Sequence, residues 1–224
     1  MLLEPFITRL HNDTSKNQEA FQRLILDLGL NDEHLEEQPV ELAPYFGKGL
    51  KLWQYPHQLA AFAQKISELT IDSYLEIGCR FGGTFIFLSE LLAKRNPNLR
   101  AYACNIIQES DFLQQYHLFR AFSYIQLFSQ EPLFIDMCRW LKPMFVFIDG
   151  DHSYEGVQND FLIFSQMPET KYIAFHDIVS DVCPGVVKIW QEMKQDDRFE
   201  TFEFIEQYES VKGNFLGIGL AVRK

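Results

Sequence analysis

The sequence has little positive charge: 20 Lys+Arg stand against 31 Asp+Glu, a formal charge of −11 over 224 residues. No Lys/Arg cluster interrupts that balance, so a phosphate backbone is a poor match and nucleic acid is not expected as a partner. Cysteine is scarce as well. Cys79, Cys104, Cys138 and Cys183 lack the paired spacing of a zinc site, and three of them sit in apolar runs as small buried residues do, which fits a reduced compartment. No segment approaches about 18 uninterrupted apolar residues. Met1-Leu2-Leu3-Glu4-Pro5 has neither a basic region nor an apolar run of signal length. The expectation is a cytoplasmic protein without a membrane span. Internal repeats and low-complexity tracts are missing too.

What is present is a globular composition, 47% hydrophobic and 15% aromatic, with 21 Phe that predict a ring-rich core. The length suits one large α/β domain over residues 51–224 behind a small helical extension over residues 1–50. In the extension, Phe21, Leu24, Ile25 and Leu28 have helical spacing and stop at Gly29, and Glu33, Glu36, Glu37 and Glu41 form an acidic run that reads as a solvated face. This extension is the candidate lid or homo-oligomer interface. Pro56 opens a second amphipathic helix through Leu59, Phe62, Ala63, Ile66 and Leu69. Ahead of it, Trp53 and Tyr55 read as a staple to the core in preference to a pocket wall.

The central stretch is Tyr74-Leu75-Glu76-Ile77-Gly78-Cys79-Arg80-Phe81-Gly82-Gly83-Thr84. A buried strand stops at Gly78, and a helix pattern runs from about Thr84 to Lys94. Gly78, Gly82 and Gly83 let a ligand lie against the main chain at a helix N-terminus, and Glu76 is placed to hold a cationic group. Beyond it, strands at 100–106, 123–129, 143–149 and 171–176 alternate with helices at 112–122, 132–141, 154–167 and 184–194. Runs at 199–208 and 216–222 around Lys212-Gly213-Asn214 close the chain as an antiparallel pair. This order predicts a Rossmann-like, seven-stranded, mostly parallel sheet with helices on both faces.

Ligands on such a sheet bind outside the carboxyl ends of the strands. Those ends carry Glu76, Asp149-Gly150-Asp151-His152 and His176-Asp177. Asp149 and Asp177 close one strand-helix-strand unit, so their carboxylates emerge on neighbouring strands about 5 Å apart. They repel unless a proton or cation lies between them, and Asp149, His176 and Asp177 form a candidate divalent-metal triad. The alternative is that Asp149 caps the next helix and His176 is a satisfied core histidine.

Together, Glu76-Ile77-Gly78, Gly82-Gly83-Thr84, the run Phe147-Ile148-Asp149-Gly150-Asp151-His152-Ser153-Tyr154-Glu155-Gly156-Val157 and Phe175-His176-Asp177 resemble the class I S-adenosylmethionine-dependent methyltransferases. Within that class the likeness is to the methyltransferase family 24, cephalosporin-hydroxylase-like and macrolide or glycosyl O-methyltransferases, over residues 50–224. The resemblance implies that Glu76 and the turn Gly78, Arg80, Gly82, Gly83 and Thr84 hold the amino-acid end of S-adenosylmethionine, and that Ser129 and Gln130 contact its adenine. It places magnesium or manganese at Asp149, His176 and Asp177, and a catalytic base at His152. The acceptor is then a hydroxyl of a small molecule or sugar. Two residues depart from the pattern. Asn105 stands where an acidic residue would hold the ribose, with Glu109 or Asp111 as substitutes if the loop folds back. His176 replaces an acid and shifts preference toward manganese, iron or zinc. A non-catalytic scaffold on the same fold is the competing reading, resting on Asn105. A dinucleotide enzyme is disfavoured because the glycines do not spell Gly-x-Gly-x-x-Gly.

Overall fold

Seven strands alternate with helices: β1 (Ser73–Ile77), β2 (Arg100–Asn105), β3 (Ser123–Gln126), β4 (Phe145–Ile148), β5 (Tyr172–His176), β6 (Phe199–Phe204) and β7 (Ile218–Arg223). The computed structural model describes residues 2–32 and 35–224, so Glu33 of the acidic run lies outside the described residues. The strands form one sheet in the order β3-β2-β1-β4-β5-β7-β6, parallel from β3 to β5 and antiparallel where β7 meets β5 and β6. Helices α1 (Glu4–Asn12), α2 (Gln18–Leu28), α3 (Pro56–Ser67), α4 (Gly83–Ala93) and α5 (Asp111–Tyr116) contribute to one apolar cluster. Helices α6 (Pro132–Leu141), α7 (Tyr154–Ser165) and α8 (Pro184–Met193) contribute to the other.

The central strands read as unbroken apolar runs because both of their faces are covered. Alternation sorts the side chains: Tyr74, Phe145 and Phe147 join the first cluster, while Leu75, Ile77, Val146 and Ile148 join the second. The Tyr74 ring stacks between Phe85 and Phe145, at centroid distances of 5.6 and 5.2 Å. Burial of each such ring contributes roughly 1.5–3 kcal/mol, which is where the many phenylalanines act. Helix α4 is apolar nearly all round because it is covered on its outer side too. Its Glu90, 2% exposed, accepts from Arg120 at 2.8 and 3.2 Å and from the Tyr116 hydroxyl at 2.5 Å. Burial opposes the charged form of Glu90, but those donors outweigh it and hold the carboxyl below its usual range.

The extension is part of the same core: Leu3, Ile7, Leu10, Phe21, Leu24 and Leu28 belong to the first cluster. Helix α1 is absent from the sequence expectation, because its two buried residues, Ile7 and Leu10, are too few to set a period. At the end of α2 the chain locks onto a strap at residues 46–53. Leu50 N–H donates to Leu28 O (2.7 Å), Leu52 N–H to Gly29 O (3.0 Å), and Asn31 N–H to Leu52 O (3.0 Å). Other boundaries are shorter than expected. Helix α5 ends at Tyr116, β3 ends at Gln126, and Leu216 and Gly217, at φ +60° and +95°, delay β7 to Ile218.

Asp160, on α7, is fully buried. Burial pushes its carboxyl up to about 7; the Ser129 hydroxyl lowers it and the Asp151 charge raises it.

Two outcomes follow from this packing. Gly29 has φ +88°, and a Cβ there would lie 2.2 Å from the Lys48 carbonyl oxygen, so Gly29→Ala is expected to lose at least about 2 kcal/mol, read as a lower urea midpoint. For Asp160, the native state holds the proton more tightly than the unfolded chain, whose carboxyl titrates near its ordinary value of about 3.9. Stability therefore falls as pH rises through that window toward about 7. Asp160→Asn removes this penalty, so its melting temperature should gain on the native protein from pH 5 to pH 8. A constant gap across that range would contradict the assignment.

Candidate active site

Strand β1 pairs in parallel with β2 on one side and β4 on the other, so strand order reverses at its carboxyl end. The turns after β1 and β4 cross there at close range. Gly78 has φ +88°, and a Cβ on it would lie 1.9 Å from the Asp149 carbonyl oxygen, so only glycine lets both turns pass. The first turn continues through Arg80, Gly82 and Gly83 into α4, with Thr84 in its opening turn. A Cβ on Gly83 would meet the Leu50 carbonyl oxygen at 2.0 Å, which brings the strap over the same helix end.

Two cavities flank this crossing and share Gly78, Arg80 and Asp149, so they form one bent cleft. The larger, about 510 Å³, is lined by Asn105, Ile106, Leu127, Ser129 and Gly150, among others. The smaller, about 260 Å³, is lined by Glu76, Thr84, His152, His176 and Asp177, with Trp53 and Lys51 from the strap.

In the smaller cavity Asp149, His152, His176 and Asp177 bring their ligating atoms within 4.8 Å of one another. His176 Nδ1 lies 3.1 Å from Asp149 Oδ1 and 3.0 Å from Asp177 Oδ2, and His152 Nε2 lies 3.2 and 3.5 Å from the same two oxygens. The other nitrogen of His176, Nε2, is 3.1 Å from the Trp53 carbonyl oxygen. A carbonyl only accepts, so Nε2 carries hydrogen, and in the neutral ring Nδ1 turns a bare lone pair toward two carboxylates. That buried Nδ1 completes no hydrogen bond. Asp177 holds its place with φ +61°, a left-handed conformation that aspartate tolerates better than most residues.

The electrostatics describe a site short of positive charge. Burial raises Asp149, yet the proximity of His176 and the hydrogen bond from His152 hold it at about 2. Burial lowers His176, yet Asp149 and Asp177 drive it well above its ordinary value. The Asp149 hydrogen bond, seconded by Cys183, lifts His152 to about 10, so the expected neutral base is a cation while these carboxylates face it. A histidine that donates one nitrogen to a backbone carbonyl and turns the other to carboxylates is the donor arrangement of a metal ligand. The residues fit a divalent ion.

Glu76 is 1% exposed and accepts a hydrogen bond from the Tyr74 hydroxyl. Burial pushes it up to about 8, against the lowering effect of Tyr74 and with the raising effect of Asp149. A buried carboxylate with one donor suits an incoming ammonium group. Asn105 ends β2 beside the larger cavity, with its Oδ1 accepting from Ile106 N–H at 2.8 Å. Glu109 is no substitute: it pairs with His117 at 2.8 Å, and neither it nor Asp111 lines the cleft. Ser129 lines the larger cavity, whereas Gln130 lines a separate groove between α6 and α7. The staple expectation divides. Tyr55 packs edge-on against Tyr208 and Phe215, but Trp53 lines the cavity with the Arg80 guanidinium 4.0 Å over its ring. Lys51 and Phe81 also line it without any sequence signal. Among the described residues, no helix is long and apolar enough to cross a membrane.

Comparison with known proteins agrees with this geometry. The family described as Rhamnosyl O-methyltransferase/CmcI matches residues 44–216. A search of curated proteins finds no match. Among solved structures, cofactor-bound Rv0187 from MTB is 17% identical, with a TM-score of 0.51 over 73% of this chain and 76% of that one. The MycE methyltransferase of the mycinamycin pathway, solved with Mg and SAH, is 14% identical, with a TM-score of 0.51 over 86% of this chain; the match spans 54% of MycE. The O-methyltransferase TomG from Streptomyces achromogenes, solved with SAM, is 16% identical, with a TM-score of 0.50 over 76% of this chain and 81% of TomG. At these identities the likeness establishes the Rossmann-like methyltransferase fold. The family match covers the strap, the cleft and the acid-histidine cluster, and the chain belongs to the rhamnosyl O-methyltransferase/CmcI family of S-adenosylmethionine-dependent methyltransferases.

Proposed function

We propose that the protein transfers the methyl group of S-adenosylmethionine to a hydroxyl of a small molecule or sugar, with a divalent ion, magnesium or manganese, at Asp149, His176 and Asp177. The observation that carries the metal is the His176 ring, whose Nε2 is committed to the Trp53 carbonyl while its Nδ1 faces two carboxylates without a hydrogen bond. In this reading Glu76 receives the cofactor's ammonium group, the turn from Gly78 through Arg80, Gly82 and Gly83 to Thr84 holds its amino-acid end, and Ser129 meets the adenine. In this reading Asn105, whose side-chain carbonyl accepts from Ile106 N–H, would meet the ribose through its amide group.

A bound ion would supply Lewis acidity that favours the acceptor's alkoxide. The chain's own part is proton handling and alignment. His152, whose side chain is 40% exposed at the cavity, is the residue placed to take the hydroxyl proton at Nε2; a cation held by Asp149 and Asp177 would relieve their pull on it. In this reading the bend of the cleft at Gly78 and Asp149 would bring the acceptor oxygen opposite the methyl group, and Trp53, Phe81 and Lys51, which line the smaller cavity, would exclude water. Cytoplasmic location belongs to the same reading, supported by four free, buried cysteines. So does the extension at residues 1–50, a lid or interface whose strap carries Trp53 to the acceptor end.

The test is calorimetric titration of metal-free protein with S-adenosylhomocysteine, with and without magnesium or manganese. Micromolar affinity is expected, about −8 kcal/mol. Glu76→Gln should weaken it by roughly 10- to 100-fold, the size of a lost charge-assisted hydrogen bond. A native protein that binds neither S-adenosylmethionine nor S-adenosylhomocysteine would sink the reading. Separately, Asp149→Asn should abolish manganese binding followed by electron paramagnetic resonance, and chelation should stop methyl transfer to a hydroxyl acceptor. Full turnover in excess chelator would remove the metal from the mechanism while leaving the methyl transfer intact.

A further inference from the structure

The smaller cavity holds charge of both signs. Beside its acids and histidines, Lys51 and Arg80 line the same space with the rings of Trp53 and Phe81. In a chain of formal charge −11 the fold brings these two cations together, Arg80 from the turn after β1 and Lys51 from the strap. Lys51 is held there under strain. Its φ is +55°, in the left-handed region that glycine enters freely and lysine does not. On either side of it Leu50 and Leu52 are buried, and their N–H groups donate to Leu28 O and Gly29 O, so the strap is pinned at both flanks. Lys51 Nζ lies 4.9 Å from the centroid of the Phe81 ring. Its carboxylate neighbour is Asp32 Oδ2 at 3.5 Å, and Asp32 is divided, because its Oδ1 lies 3.6 Å from Arg80. Among the described residues no hydrogen bond ends on the Lys51 ammonium. A strained backbone that presents a cation with three unused donors to a cleft points to a ligand.

We propose that Lys51 binds the acceptor, and that the acceptor is a hydroxylated carboxylic acid, in the class of a uronic acid or a hydroxylated aromatic acid, whose carboxylate pairs with the Lys51 ammonium. This rests on the methyl-transfer reading above and names the substrate class of that site. In that reading the cofactor's own carboxylate has donors on the turn after β1, namely Arg80 and the free N–H groups at the start of α4. Lys51 belongs to a different element. The strap that carries it runs on to Trp53, whose carbonyl oxygen is 3.1 Å from His176 Nε2. The ammonium and the acid-histidine cluster therefore face one cavity of about 260 Å³. That is smaller than the roughly 300–1,000 Å³ of sites for drug-sized ligands, so a single ring-sized acceptor meets both. A lysine is one point charge, which suits the single charge of a carboxylate better than a phosphate dianion.

The experiment titrates protein loaded with magnesium and S-adenosylhomocysteine with two matched pairs, glucuronate against glucose and protocatechuate against protocatechuyl alcohol. In at least one pair the acid should bind about tenfold or more tightly than its neutral partner, the size of a charge-assisted hydrogen bond. Lys51→Met, which removes the charge and keeps a flexible stem, should bring that ratio to within about threefold, and Lys51→Arg should keep most of it. Affinity for S-adenosylhomocysteine should stay within about threefold of native in both variants. A tenfold loss of that affinity in Lys51→Met would assign Lys51 to the cofactor's carboxylate and overturn the proposal. So would acids that bind no better than their neutral partners, or glucose 6-phosphate binding more tightly than glucuronate. A ratio that survives in Lys51→Met while the melting temperature falls would make Lys51 only a brace to Asp32, which also overturns it. In each of these cases tight S-adenosylhomocysteine binding by native protein leaves the methyltransferase reading standing. Failure of the native protein to bind S-adenosylhomocysteine would overturn both.

Discussion

Glu76, Asp149 and Asp177 end three adjacent parallel strands, and the repulsion among their carboxylates in a half-buried cleft is what the surrounding structure answers. Each answer supplies positive charge or a donor. Tyr74 donates to Glu76 from two residues back on the same strand, and His152 and His176 lean on the two aspartates at 3.0–3.5 Å. These answers are incomplete, since Glu76 keeps a capacity for a cationic group and His176 Nδ1 still lacks a hydrogen bond. Sites left short of positive charge in this way are built for cationic ligands. A cofactor ammonium and a divalent ion are the two that this arrangement fits.

Holding like charges together needs a stiff frame, and the packing provides it from both sides of the sheet. Rings fill one face around Tyr74, Phe85 and Phe145, and the crossing of the β1 and β4 turns tolerates no side chain at Gly78. The strap adds a constraint from outside the sheet. Its backbone is clamped by α2 through Leu28, Gly29 and Asn31, and its Trp53 carbonyl fixes the tautomer of His176 across 123 residues of sequence. The N-terminal extension therefore bears on the position of His176 through the strap it clamps.

The alternation of strands and helices was legible because each strand is buried on both faces and each crossover needs its own helix, which leaves a rhythm in the sequence. Glu76, Asp149 and Asp177 were legible for the same reason: a carboxylate ending an apolar run has few structural uses. Ser129, just after the third strand, was singled out by the family resemblance alone. Gln130 shared that place in sequence, yet the turn into α6 sends it to the outer groove. Helix α1 left too faint a pattern, with two buried residues in nine.

The sequence by itself determined the sheet, its order of elements and the set of acids at the strand ends, since those depend on local periodicity and on residue type. Tertiary structure alone decided the rest. Trp53 reaches the cavity because the strap folds back over the start of α4, and His152 is driven toward its charged form because Asp177, from the end of the next strand, joins the neighbouring Asp149 beside it. Those facts depend on distances between residues far apart along the chain. A sequence specifies such distances only through the whole fold, and no local pattern records them.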